Sequence, residues 1–437
     1  MKKVMNVLSV MSILLGISLV LTGCGNTKNT DSKESGSEKT QIEYWYGLGS
    51  EADKKMKEII QEFNDSQDKY EVKAVPQADY AETYQKLQAA IASKTAPGLA
   101  ILGNSYLADL GSKNVLEPLD SYLKEDKEYN ESDFLKVFME QAKVNDSVLG
   151  VPAYGTTQVM YYRKDLLEKA GISPTEAFSS WENLIAASKK IKEENIAEIG
   201  FEPMWGQDNL IDISLSNGGT ILDKDQKKVT ISTSAWIDSW EMIRKAIHED
   251  KVMSINSGGQ GWEYWYKTID DVTNGKSVGY LGSSGDKGNL DFSIIDSAEQ
   301  PGVGSNQAKP IASALYLAIP SSIDKKEKEA AYAFIHYFTQ SKVQADWSET
   351  IGYIPVREST LDNEDYAKFL EEKPYYAVPF KQAQHASPAF IDPTGGKIVD
   401  ALKIAADQVE LENVPAKQAL SEAQKKAQEA LDQINKK

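Results

Sequence analysis

A single cysteine, Cys24, stands in 437 residues. No disulfide can close within such a chain, so its fold must be held by a hydrophobic core, which this length can supply. The same cysteine ends the run Leu21-Thr22-Gly23-Cys24. Before it lie a basic start, Met1-Lys2-Lys3, and a mostly apolar stretch from Val4 to Val20 broken by Asn6, Ser9, Ser12, Gly16 and Ser18. That order is the anatomy of a secretory signal peptide, and the apolar part is short for a membrane-spanning helix. From Gly25 to Lys39 only Gly, Asn, Thr, Lys, Asp, Ser and Glu occur, so nothing there can be buried. This stretch reads as a flexible tether reaching roughly 20 Å as a random coil. The expected division is a signal peptide over 1–23 and a tether over 24–40.

Beyond the tether, the composition is that of a globular body, with 41% apolar and 26% charged residues overall and no further run of membrane-spanning length. The formal net charge of −17 comes from 65 acidic and 48 basic residues. Nucleic acid and anionic lipid surfaces both require a basic partner, so neither is expected.

The first part alternates strand and helix. Ile42-Glu43-Tyr44-Trp45-Tyr46 reads as a strand, Met56, Ile59, Ile60 and Phe63 as a helix face, Tyr70 to Val75 as a strand, Tyr84, Leu87 and Ile91 as a helix, and Leu99 to Leu102 as a buried strand. Such alternation predicts a mostly parallel sheet flanked by helices. The middle is more helical. Ser179 to Glu182 has the spacing of a capping box, and Trp236, Trp240, Ile243 and Ile247 form a stripe that places both tryptophans in a core. Strands recur at Val278 to Leu281 and Ala314 to Ile319. Helices follow, one with Ala330, Phe334 and Phe338 and one after Pro415 with Leu420, Ala427 and Leu431. The economical arrangement is an α/β fold of two lobes built from discontinuous segments around a hinge, with a ligand site in the cleft between them.

Catalytic constellations are missing from the pattern. His248, His336 and His385 are scattered and show no metal-ligand spacing. Gly302-Val303-Gly304-Ser305-Asn306 lacks the closing glycine of a nucleophile elbow, and Gly395-Gly396-Lys397 lacks the rest of a phosphate-binding loop. A secreted glycosidase would need two carboxylates flanking a sugar, a requirement that 65 acidic residues meet by chance. No enzyme activity, metal or cofactor is expected.

Two resemblances extend this reading. Leu21-Thr22-Gly23-Cys24 looks like the lipobox of bacterial lipoproteins, which implies a diacylglycerol on Cys24 and a mature chain anchored at the outer face of a membrane. The runs Val148-Leu149-Gly150-Val151-Pro152, Met160 to Ile172, Ser180-Trp181-Glu182-Asn183-Leu184, Asn217-Gly218-Gly219, Asn274 to Gly279 and Ile351 to Arg357 come in the order found in family 1 extracellular solute-binding proteins, the sugar-type binding subunits of ABC importers. The resemblance implies a two-lobed periplasmic-binding-protein fold of type II. Lobe one would hold 41–155 and 276–318, and lobe two 156–275 and 319–437. It also implies a monomer that delivers its ligand to a membrane permease, here expected on the cell surface of a Gram-positive bacterium.

Sugars present flat apolar faces and rings of hydroxyls, which suit tryptophan and tyrosine platforms beside hydrogen-bonding side chains. The chain has 8 Trp and 21 Tyr. Trp205 lies in a predicted loop and is a stacking candidate. Trp262 and Trp265, beside a glycine-rich loop but at helical spacing, either line the cleft rim or pack inward. Loops after strands add Tyr46, Ser50, Asp79, Tyr80, Asn104, Tyr154, Thr156, Ser283, Ser284 and Tyr353. Several of these resemble ligand positions of the family's glycerol-3-phosphate binders. Arginine is scarce, however, at Arg163, Arg244 and Arg357, and Phe390 to Lys397 has none. A neutral saccharide is therefore the expected ligand, with glycerol-3-phosphate or its diesters as the alternative. A non-transport adhesin or sensor is a more distant one.

Overall fold

The computed structural model describes residues 39–144 and 146–435. The expected signal peptide, the lipid site at Cys24 and the tether up to residue 38 lie outside the described residues. Residues 39 and 40, expected in the tether, belong to the folded body. Thr40 already pairs with Tyr70 as the first residue of a strand, and the Lys39 ammonium donates to the carbonyls of Asn64 and Gln67.

In chain order the body begins with β1 (Thr40–Tyr46), α1 (Ser50–Ser66), β2 (Tyr70–Pro76), α2 (Tyr80–Ser93), β3 (Leu99–Gly103) and α3 (Asn104–Ser112). Each helix follows from its spacing. Ala52, Met56, Ile59, Ile60 and Phe63 share one face of α1 and are all buried. Crossovers of this kind force parallel pairing, and β1 indeed pairs in parallel with both β2 and β3. Next come β4 (Val151–Arg163), α4 (Trp181–Glu193), α5 (Gln207–Ser216), α6 (Ser234–His248), α7 (Glu263–Thr273), β5 (Gly279–Ser283), β6 (Ile295–Ala298) and β7 (Ile311–Ala318). The chain ends with α8 (Lys325–Phe338), α9 (Ser341–Ile351), α10 (Lys397–Glu410) and α11 (Ala416–Asn435).

The main sheet runs β2-β1-β3-β7-β4-β5. The 13-residue β4 belongs to both lobes. From Val151 to Thr157 it pairs antiparallel with β7, and from Gln158 to Arg163 it lies between β5 and β6. Neutral amides fasten this change of partners. Gln382 Nε2 donates to Thr157 Oγ1 at 2.8 Å and to the Gln158 carbonyl at 2.6 Å. Gln300 Nε2 donates to the same carbonyl at 2.9 Å and to Asp212 Oδ2 at 2.7 Å.

The two main cores differ in membership from the expected lobes. The first collects β1 to β3, the start of β4, β7, α8 and α9, and the second collects α4 to α6, α10 and α11. Residues 325–357 were expected in lobe two, but the Phe334 ring packs against Tyr44 at 5.5 Å and Phe63 at 5.3 Å, in the first core. Residues 279–298 were expected in lobe one, but β5 and β6 are hydrogen-bonded to the second half of β4. Pairings between segments more than a hundred residues apart leave no local mark in the sequence. The capping box also shifts. The N-cap of α4 is Ser180, whose Oγ accepts from Asn183 N at 3.2 Å, because Trp181 N donates to Gly302 O and holds Ser180 extended. The Glu182 carboxylate instead accepts from Gly304 N at 3.1 Å.

Trp236 and Trp240 are fully buried as expected, with their indole N–H groups donating to Thr220 O and Leu210 O. A less expected core member is Glu202, which is inaccessible to solvent and lies near Asp271 and Asn256. Burial, reinforced by the Asp271 charge, raises its pKa to about 8. The folded state thus holds a proton that the unfolded chain releases near 4.5, so this contribution to stability is present in acid and is lost as pH rises toward about 8. Thermal unfolding of Glu202→Gln against the parent protein should show the variant gaining about 1–3 kcal/mol between pH 5 and pH 8. A constant difference across that window would place the proton elsewhere.

Candidate ligand cleft

A cavity of about 710 Å³ opens between the lobes, within the size range of small-molecule sites. On the first-lobe side it is lined by the starts of three helices: Ser50 and Glu51 on α1, Tyr80 on α2, and Asn104 to Tyr106 on α3. Each start follows the carboxyl end of a parallel strand, where free backbone N–H groups and short polar side chains face outward. The second lobe contributes Trp205 and the first residues of α5, then Trp262, Tyr264, Trp265 and Tyr266 around the start of α7, and Ser283, Gly285 and Asp286 after β5. Thr156 to Gln158, where β4 exchanges partners, also lines it.

Of the expected residues, Ser50, Tyr80, Asn104, Thr156, Trp205, Trp262, Trp265, Ser283 and Tyr353 line this cavity. Trp262 and Trp265 therefore face the cleft, set edge-to-face at 5.8 Å, and Trp265 also packs on a small second-lobe cluster. Four expected residues stand behind the wall. Tyr46 is fully buried and its hydroxyl donates to Asp53 Oδ1 at 2.9 Å. Asp79 is the N-cap of α2, accepting from Glu82 N. Tyr154 is fully buried, stacks on Tyr353 at 4.5 Å and shares a 3.2 Å hydrogen bond with the Tyr80 hydroxyl. Ser284 is buried beneath Thr156. These side chains shape the wall indirectly. Gly285, in the wall itself, lies so close to the Tyr353 ring that a Cβ at that position would strike it.

The electrostatics of the lining are one-sided. Glu51, Asp208, Asp212 and Asp286 are among its lining residues, and Lys403 of α10 is the one lining cation among the described residues. The arginines are engaged elsewhere: Arg163 with Asp165, Arg244 with Glu241 and Glu249, Arg357 beside Asp133. Asp286 accepts from Trp265 Nε1 at 2.9 Å and from the Tyr280 hydroxyl at 3.2 Å, and burial raises its pKa to about 7. Burial likewise raises Asp212 to about 7. Tyr80 and Tyr353 have raised pKa values through burial and remain neutral phenols that can donate or accept. The α10 N-terminus is already occupied, since Asp392 Oδ2 accepts from Ile398 N at 2.8 Å and Val399 N at 3.1 Å. Lys397 is exposed and does not line the cavity.

Sequence reasoning passed over Tyr106, Gln158, Asn209, Asp212, Asp286 and Lys403. Asp286 stands two residues past the recognised serine pair and could have been found by extending that turn. Asp212 and Lys403 sit on amphipathic helices, where polar positions look alike until the fold selects a face. The three histidines are each occupied, His248 with Val409 O, His336 with Asp126 and His385 with Glu299. No group of three or more potential metal ligands occurs among the described residues.

Two α/β lobes joined by shared strands, with an aromatic and acidic cleft between them, define a bilobal solute-binding protein. Comparison with known proteins makes this specific: residues 58–372 match the family of bacterial extracellular solute-binding proteins, and the chain belongs to that family. The sn-glycerol-3-phosphate-binding periplasmic protein UgpB of Agrobacterium fabrum is 23% identical over 363 residues, covering 80% of this chain and 81% of the relative. Among solved structures, UgpB from Mycobacterium tuberculosis in complex with glycerophosphocholine superposes with a TM-score of 0.79 at 21% identity, covering 90% of this chain and 99% of the other. The GacH receptor of Streptomyces glaucescens, solved unliganded and with acarbose, gives a TM-score of 0.80 at 19% identity over 90% and 99%.

The division between lining and supporting tyrosines is directly testable. Tyr154→Phe removes one buried hydrogen bond and should cost about 1 kcal/mol of stability while leaving ligand affinity within about twofold. A large loss of affinity with unchanged stability would put the Tyr154 hydroxyl in the cleft.

Proposed function

We propose that this protein is the binding subunit of an ABC importer, capturing a neutral mono- or oligosaccharide in the interlobe cleft and delivering it to a membrane permease. The supporting observation is the make-up of the cleft wall. Trp205, Trp262, Tyr264 and Trp265 offer rings to the apolar faces of a sugar, and Glu51, Asp208, Asp212 and Asp286 offer acceptors to its hydroxyls. The same carboxylates oppose a phosphate, which would find Lys403 alone for neutralisation. In this reading Cys24 carries the lipid that tethers a monomer at the outer face of the cell membrane of a Gram-positive bacterium, and the protein turns over no substrate. A second reading, glycerol-3-phosphate or one of its diesters, is favoured by the ligands named for the two UgpB proteins. Lys403 would then be the phosphate partner.

Calorimetric titration with maltose, maltotriose, cellobiose, raffinose, glycerol-3-phosphate and glycerophosphocholine separates the two. The expected outcome is binding of a neutral saccharide, with Lys403→Met changing its affinity by less than about threefold. Binding confined to the phosphorylated compounds and lost in Lys403→Met would replace the first reading by the second.

A further inference from the structure

We infer that Asp407 and Glu410 are positioning residues that hold the Trp205 ring in the cleft as a fixed stacking surface. The choice of a saccharide as ligand rests on the carbohydrate reading; the positioning role does not. The two carboxyl groups lie three residues apart on α10, hence on one face of that helix. α10 is a rigid support, because Ile398, Ala401, Leu402, Ala405, Ala406 and Val409 bury its opposite side in the second core. Trp205 Nε1 donates to Asp407 Oδ1 at 2.7 Å, and Gly206 N donates to Glu410 Oε2 at 3.0 Å. The loop is thus fixed at side chain and backbone in consecutive residues.

Two features indicate that the fold pays for this arrangement. Gly206 has φ +107°, in the region that favours glycine, with open space where a Cβ would stand, so the restriction there is torsional. Glu410 is only 2% exposed, and its Oε1 has no hydrogen-bond partner among the described residues. A buried carboxyl with one free oxygen costs stability, and a hydrophobic residue would fill the same space at less cost. The geometry accounts for its presence through the loop it grips. The Trp205 ring also meets Tyr264 edge-to-face at 5.2 Å and 87°. With its sole donor engaged by Asp407, the indole can offer a ligand only its ring surface. At this position the cleft therefore selects a ligand with an apolar face and gives no hydrogen bond in return.

The test compares Asp407→Ala, Asp407→Asn, Trp205→Ala and the double variant Asp407→Ala/Trp205→Ala with the parent, using whichever of maltose, maltotriose, cellobiose and raffinose binds the parent best. Asp407→Ala should weaken binding about tenfold, while Asp407→Asn, whose amide oxygen still accepts from the indole, should stay within about threefold. The Asp407→Ala change should add almost nothing once Trp205 is alanine. Parent-like affinity in Asp407→Ala, or a loss that adds in full to that of Trp205→Ala, overturns the inference. Acrylamide quenching of Trp205, taken as the difference between each protein and its Trp205→Phe counterpart, needs no ligand and should rise at least twofold in Asp407→Ala. If no saccharide binds the parent, the carbohydrate reading falls, and the quenching result alone decides the positioning role: a rise supports it, and no rise overturns it.

Discussion

The structure depends on β4 remaining one strand while it serves two lobes. A strand must satisfy its backbone groups on both sides, and β4 does so with β7, Ile354 and the Gln344 side chain in its first half and with β5 and β6 in its second. The exchange of partners occurs at Thr157 and Gln158. Gln382 and Gln300 supply hydrogen bonds at that junction without adding charge. The cleft lining and the sheet therefore share one short piece of backbone. Thr156 and Gln158, two positions apart on the strand, both line the cavity there.

Acidity is distributed with the same economy. The net charge of −17 is not confined to the solvated surface. Glu202, Asp212, Asp286 and Glu410 are all buried, and burial raises the pKa of every one of them. Asp212 and Asp286 are the two of these that line the cleft, and desolvation moderates the charge they bring to it. A carboxyl group that titrates near neutrality can donate as well as accept, which suits a ligand whose hydroxyls do both.

Much of the fold was legible because its local rules agree with its global form. The β-α alternation of residues 40–103 and the tryptophan stripe of α6 announce their elements and their buried faces in the usual periods of two and 3.6. Lobe membership was not legible. Nothing near Phe334 announces Tyr44 as its neighbour, and nothing in Gly279 to Ser283 announces β4. The site divided along the same line. Residues in turns after strands were identifiable from their place in the pattern, and Ser50, Tyr80, Asn104 and Ser283 do line the cavity. Tyr46 and Tyr154 were read by the same rule but are fully buried, Tyr46 bonded to Asp53 and Tyr154 packed behind the lining Tyr80 and Tyr353. Lys403 and Asp407 come to the cleft from a helix about two hundred residues after the Trp205 loop, a closeness that only tertiary structure creates.

The position of β7 has a consequence for how this protein is made. In the sheet it lies between β3 and β4, although it follows them by roughly 150 residues or more in the chain. The first lobe therefore cannot close its sheet until residues 311–318 have been synthesised, and its core waits further for α8. Non-local pairing of this kind is slow, because the entropy of closing a long loop must be met before the contacts form. A chain of this topology gains time from that delay before its first core can close. It stays without a complete core while most of its length emerges, so the first lobe is among the last parts of the molecule to become compact.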